Sequence, residues 1–171
     1  MLKTGFAPII SKNARLLILG SMPGEKSLNE QQYYAHPQNA FWFILSQLLQ
    51  FDPGLSYARR TRQLTQHRIA LWDVIEQCRR QGSLDSAIQN DSIRANDFNT
   101  LFCRHKDIRF VCFNGQKAAQ EFRRQILPTL DPALPELEYH TLPSTSPANA
   151  RLDRHAKLAH WSKILTLLNK A

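Results

Sequence analysis

The chain has 171 residues, 43% of them hydrophobic, which suffices for one domain with a real core (residues 1–171) and is too few for two. No apolar run approaches the roughly 20 residues of a bilayer span, and the opening MLKTGFAPII is too short an apolar stretch for a signal peptide, so the chain reads as soluble and intracellular rather than membrane-bound. Lys and Arg number 22 against 14 acids, for a net charge of +8 and a pI near 9.8. That balance favours a polyanion, nucleic acid first, as partner, although doublets such as Arg59–Arg60, Arg79–Arg80 and Arg123–Arg124 also fit a solvated basic face.

The first apolar run, Arg15 to Leu19, reads as a strand. It enters Gly20, Ser21, Met22, Pro23, Gly24, Glu25, Lys26. A phosphate-binding P-loop needs four residues between its glycines and Lys directly after the second; three intervene here and Glu25 separates Gly24 from Lys26, so a triphosphate site is not expected. A turn of small residues still lets a flat ligand approach backbone N–H groups. Downstream, Tyr33 and Tyr34 precede Ala35, His36, Pro37, Gln38 and Asn39. Phe41 and Trp42 read as core aromatics, Tyr34 as a platform on which an extruded base could stack, and His36 as a residue that fixes its own loop.

Asn39 to Leu49 has helical spacing, with Phe41, Ile44, Leu45, Leu48 and Leu49 on one face and Asn39 at the N-cap. Asp52, Pro53 and Gly54 form a turn, and Ile69 to Ile75 a second strand. Gln81 to Asn99 is polar; Ser83 and Asp85 suit a helix start. Cys78, Cys103 and Cys112 form no even set and no Cys-x-x-Cys; neither a disulfide framework nor a metal centre is expected, and Cys112, inside the strand Ile108 to Phe113, should behave as a small hydrophobe. Asn114 and Gly115 follow that strand, a helix spans Gln116 to Ile126, and Pro128 to Pro135 is a surface loop. A last strand, Leu137 to Leu142, enters a small-residue loop, Ser144 to Ala150, before a closing helix from Arg154 to Leu168. Strands alternating with helices predict an α/β fold, a three-layer α/β/α sandwich on a central four-stranded, mostly parallel sheet. The loops after the first and last strands should then face each other across one crevice.

The order strand, GSMPG, YYAHPQNAFW, FVCFNG and STSPANA resembles the uracil-DNA glycosylase superfamily over roughly residues 15 to 155. GSMPGEKSL, IALWDVIEQCRRQGSLDSAI and LPSTSPANA are most similar to its hypoxanthine (deoxyinosine) branch. The resemblance implies a monofunctional DNA glycosylase that flips a deaminated base out of the duplex and hydrolyses its N-glycosidic bond, in base excision repair. It implies no cofactor and no metal, DNA holding a deaminated base as partner, a monomer, and a cytoplasmic, nucleoid-associated setting in a prokaryote.

Cleavage passes through an oxocarbenium-like sugar, so the site must place a water and stabilise a departing base. Where uracil glycosylases commonly carry a carboxylate or Asn, this chain has Met22, whose thioether can do neither. The resemblance moves the water-positioning role to Asn39, with Glu25 and Asp73 as fallback acids that otherwise read as surface or capping groups. Ser21, Met22, Pro23, Gly24, Tyr34, Asn114 and Ser144 are the expected base-binding residues. Lys26, Gly115, Lys117, Ser146, Pro147, Ala148, Asn149 and Arg151 are the expected DNA contacts. Ser144 and Ala148 stand where several superfamily members carry a catalytic His and an intercalating Leu. A uracil or mismatch glycosylase of the same fold, or a DNA-binding module without catalysis, are the alternatives.

Overall fold

The computed structural model describes residues 1–170. Leu16–Gly20 (β2), Ile69–Asp73 (β3), Phe110–Asn114 (β6) and Glu138–Leu142 (β7) form a four-stranded sheet in the order β3-β2-β6-β7, with every pairing parallel. β2, β3 and β6 are buried throughout, as strands covered on both faces must be. Successive side chains point to opposite faces. Leu16 and Ile18 pack with Phe41, Ile44, Leu45 and Trp161 on one side, and Leu17 and Leu19 with Phe98, Phe102, Ala118 and Phe122 on the other.

The short helix Glu25–Glu30 (α1) follows the turn after β2, and the first side is covered by Phe41–Leu49 (α2), Tyr57–Gln66 (α3), Arg154–Trp161 (α6) and Lys163–Leu168 (α7). The second is covered by Phe98–Arg104 (α4) and Gln116–Glu121 (α5). The three-layer α/β/α sandwich expected from the alternation is therefore the observed architecture, with a fully parallel central sheet.

Several boundaries differ from the sequence reading. The run Ile69 to Ile75 is not one strand: β3 ends at Asp73, and Ile75–Arg79 (β4) joins a separate antiparallel sheet with Leu2–Thr4 (β1) and Arg94–Ala95 (β5). Short strands in polar sequence carry little periodic signal, and pairing across the whole chain decides them. The closing helix is two, parted at Ser162, whose hydroxyl donates to Ala159 O at 2.6 Å. The helix from Gln116 loosens into a π-turn over Phe122–Ile126. α3 escaped the reading altogether, its sequence being polar with Leu64 alone buried.

The basic doublets do not all lie on a solvated face. Arg80 is 1% exposed, and its guanidinium donates to the carbonyl oxygens of Met22 and Pro23, so one cation is used inside to hold the loop after β2. Arg60 lies over the Trp42 ring, 4.8 Å from its centroid.

Candidate active site

In chain order the sheet strands run β2, β3, β6, β7, yet β3 and β6 flank β2 on opposite sides, so the strand order reverses at β2. Open parallel sheets bind ligands outside the carboxyl ends of the strands at such a point. A cavity of about 740 Å³ lies there. The loop after β2 gives it Gly20, Ser21, Met22, Pro23 and Gly24, followed by Lys26. Tyr34, His36 and Asn39 line it from the segment before α2, Asn114 from the end of β6, and Ser144 to Asn149 from the loop after β7.

The entrance to α2 sets two of these residues. Tyr34 has φ 55°, a left-handed conformation uncommon outside glycine, and its ring stacks on Phe41 with centroids 4.0 Å apart. Its neighbour Tyr33 is buried, 3% exposed, and donates its hydroxyl to Ala7 O at 3.0 Å, while its own carbonyl accepts the Trp42 indole N–H at 2.9 Å. α2 begins at Phe41 rather than Asn39, with Ala40 at the cap position. Asn39 nonetheless accepts the Phe41 N–H through Oδ1 at 3.0 Å, which fixes the amide and leaves one lone pair and both amide hydrogens for other partners. His36 stays exposed, and its Nδ1 accepts the Gln38 N–H at 3.2 Å.

Asn114 at the end of β6 and Thr145 in the loop after β7 clamp two neighbouring strands at the sheet's carboxyl edge. The Asn114 amide donates to Thr145 Oγ1 and accepts from Thr145 N, both at 2.9 Å. Gly115, at φ 97°, lets the Ser144 loop close over it: a Cβ there would come within 3.0 Å of Ser144 Cβ. Lys157 on α6, 4% exposed, donates to Ser146 O at 2.9 Å, and the Trp161 indole donates to Pro143 O at 2.9 Å. Neither α6 contact carries a sequence signal, since both join a helix face to backbone of a loop more than ten residues away.

Two acids enter the site by routes that local reading does not reveal. Asp73, last residue of β3 and paired with Gly20, lines the cavity, is 4% exposed, and leaves Oδ2 buried without a hydrogen-bond partner. It is neither a surface nor a capping group. Burial pushes its carboxyl up to about 7, aided by Asp85 and opposed by Arg80. Asp85, expected to start a helix, opens a single 3-10 turn with no side-chain cap bond. Its carboxylate instead accepts the Ser21 hydroxyl at 2.6 Å, and burial raises its pKa while that hydrogen bond lowers it. The segment before it is tied down by Lys3, which donates to Gly82 O at 2.8 Å, and by Ser83 Oγ, which accepts the Glu25 N–H at 2.9 Å. Leu84, 56% exposed, stands at the cavity mouth.

Other expected residues lie outside the cavity lining. Gly115 sits beneath the Ser144 loop, Lys117 is engaged by Asn90 and Glu121 at 2.9 Å each, and Arg151 is exposed in the turn before α6. Glu25 pairs with Lys3 at 3.0 Å, which holds its carboxyl below the usual range. Lys26 reaches the cavity but also pairs with Glu30 at 2.6 Å. Among the described residues no group of three or more His, Cys, Asp or Glu is placed to hold a metal ion, Cys78 and Cys112 are buried, and Cys103 is exposed. No described helix is long and apolar enough to cross a membrane.

Residues 7–169 match the family model of the uracil DNA glycosylase superfamily. The chain is 35% identical to a hypoxanthine DNA glycosylase of Methanosarcina acetivorans over 96% of its own length and 98% of that protein's. It is 36% identical to a hypoxanthine DNA glycosylase of Methanosarcina barkeri over 88% and 90% respectively. The solution NMR structure of a Methanosarcina acetivorans protein, proposed to be a uracil DNA glycosylase, superposes with a TM-score of 0.80 at 33% identity, covering 98% of this chain and 99% of that one.

Proposed function

The chain belongs to the uracil DNA glycosylase superfamily, and from that premise we propose that it is a DNA glycosylase that hydrolyses the N-glycosidic bond of deaminated bases, hypoxanthine in deoxyinosine foremost. The observation that carries this reading is the meeting of three distant segments on one cavity: the Gly20–Gly24 loop, the Tyr34–Asn39 entrance to α2 and the Ser144–Asn149 loop. Its volume, about 740 Å³, lies within the range of small-molecule sites and admits a single extruded nucleoside.

Flipping a damaged base costs a few kcal/mol, and stacking on an aromatic ring returns roughly 1–3 kcal/mol. Tyr34, backed by Phe41 and unable to recede, is the stacking platform in this proposal. Asn39 orients the attacking water: its amide is pinned by the Phe41 N–H, so the remaining lone pair of Oδ1 has a fixed direction. Met22 is 7% exposed and packs with Ile75, Cys78 and Ile88, so the loop after β2 shapes the wall and contributes no acid of its own. In this reading Ser144 and Asn114 complete the base pocket and Lys26, Ser146 to Asn149 and Arg151 face the DNA, while Gly115, buried beneath the Ser144 loop, and Lys117, held by Asn90 and Glu121, support that edge from behind.

The test is incision of duplexes holding one deoxyinosine, uracil or xanthine, each treated with alkali after incubation. Deoxyinosine should yield an abasic product, and Asn39→Ala should slow its formation by about 100-fold or more if the amide positions the water. Product from uracil alone would overturn the substrate assignment. No product from any duplex would leave a DNA-binding module, and full activity in Asn39→Ala would remove that residue from its role.

A further inference from the structure

The floor of the cavity holds an acid with no part in the mechanism above. Asp73 lies at the carboxyl end of β3, 4% exposed, with Oδ2 unpartnered. The phenolic oxygen of Tyr34 is also buried and unpartnered. Both converge on Gly20: a Cβ added there would overlap Asp73 Oδ1 and come within 3.0 Å of Tyr34 Oη. Buried polar atoms in native proteins are normally satisfied, and two unpartnered ones on one cavity floor mark a place kept for a polar ligand edge rather than for packing.

Of the ionisable groups lining the cavity, His36 is exposed and tied to its own loop, and Asp85 is engaged by Ser21. Asp73 alone is both buried and uncommitted. The groups around it are Asp85 and Arg80, from the segment after β4, and the phenols of Tyr33, Tyr34 and Tyr57, which burial keeps protonated. Lys26 lines the same cavity.

We propose that Asp73 is the acid that protonates the leaving base, giving its carboxyl proton to a ring nitrogen of the departing purine. The C1′–N9 electron pair leaves with the base, the Asp73 proton neutralises it, and neutral hypoxanthine results. Water adds hydroxide to C1′, and the proton it releases returns through solvent to Asp73. A purine offers ring-nitrogen acceptors away from the bond that breaks, so such a donor favours purine over pyrimidine lesions. Burial, which raises the carboxyl toward neutrality, keeps the proton available.

This inference rests on the glycosylase reading, and one experiment separates them. Single-turnover excision of deoxyinosine is followed from about pH 5.5 to 9 for the wild type and for Asp73→Asn, with thermal unfolding measured at each pH. The wild-type rate should fall above neutrality, approaching about ten-fold per pH unit. Asp73→Asn, which can donate a hydrogen bond but not a proton, should be slower by about 10- to 100-fold and lack that limb. A wild-type rate that is flat or rises through neutrality overturns the proposal, as does an Asp73→Asn profile that keeps the same limb. If Asp73→Asn does not fold, the wild-type profile decides by itself. Absence of any deoxyinosine product from the wild type at every pH would instead overturn the glycosylase reading.

Discussion

Glycine is required at two positions of the site for different reasons. At Gly20 it is space, since any side chain would fall on Asp73 and Tyr34. At Gly115 it is conformation, since φ 97° with ψ 167° is a region essentially confined to glycine. Gly115→Ala should cost about 1–3 kcal/mol, measured as a lower urea midpoint at unchanged slope. Asp73 leaves a second thermodynamic mark. Its carboxyl titrates at about 7 in the folded protein and near about 3.9 when unfolded. Between those values the native state binds the extra proton, so stability should fall as pH rises through the window, by at most about 1.4 kcal/mol per unit. Urea midpoints at about pH 4.5 and 7.5 should show this decline in the wild type and lose it in Asp73→Asn.

At the scale of elements, the loop after β7 is held from outside itself. Thr145, fully buried, bonds Asn114 on β6, while Lys157 and Trp161 reach it from α6. Lys157→Ala leaves Ser146 O without its donor, and a lost buried hydrogen-bond partner costs roughly 1–3 kcal/mol. Faster hydrogen exchange confined to residues 144 to 149, with weaker binding of a deoxyinosine duplex, is the expected outcome; unchanged exchange there would show that the loop holds its shape without the lysine. The opposite wall is built the same way: the Gly82–Asp85 segment is tied by Lys3 from the N-terminal strand and by Ser21 and the Glu25 N–H from the turn after β2. Both walls are thus fixed by side chains that no local pattern singles out.

For the molecule as a whole, the excess of 22 basic over 14 acidic residues should appear in binding. Each phosphate neutralised contributes a slope of about −0.9 to the log–log salt dependence on B-DNA. Duplex affinity measured across salt should give a steep slope, although Arg80, Lys157 and Lys3 are buried and add nothing to it. A slope near zero would count against the basic surface as the DNA-facing one.

The sequence by itself determined the sandwich, the strands at β2, β6 and β7, the core aromatics Phe41 and Trp42, and the loops that meet at the cavity. Those features follow from hydrophobic periodicity and turn chemistry, which act over a few residues. It also put Asn39, Tyr34 and Ser144 near one another, though only through the order of motifs. Tertiary structure alone decided that β3 and β6 flank β2 from opposite sides, which creates the crevice. It alone made Asp73 a buried, unpartnered acid, brought Asp85 to Ser21, and turned Arg80 inward. Desolvation depends on every chain segment packed around a group, and the groups around Asp73 and Asp85 come from segments as far apart in sequence as Gly20, Tyr34, Arg80 and Asn96.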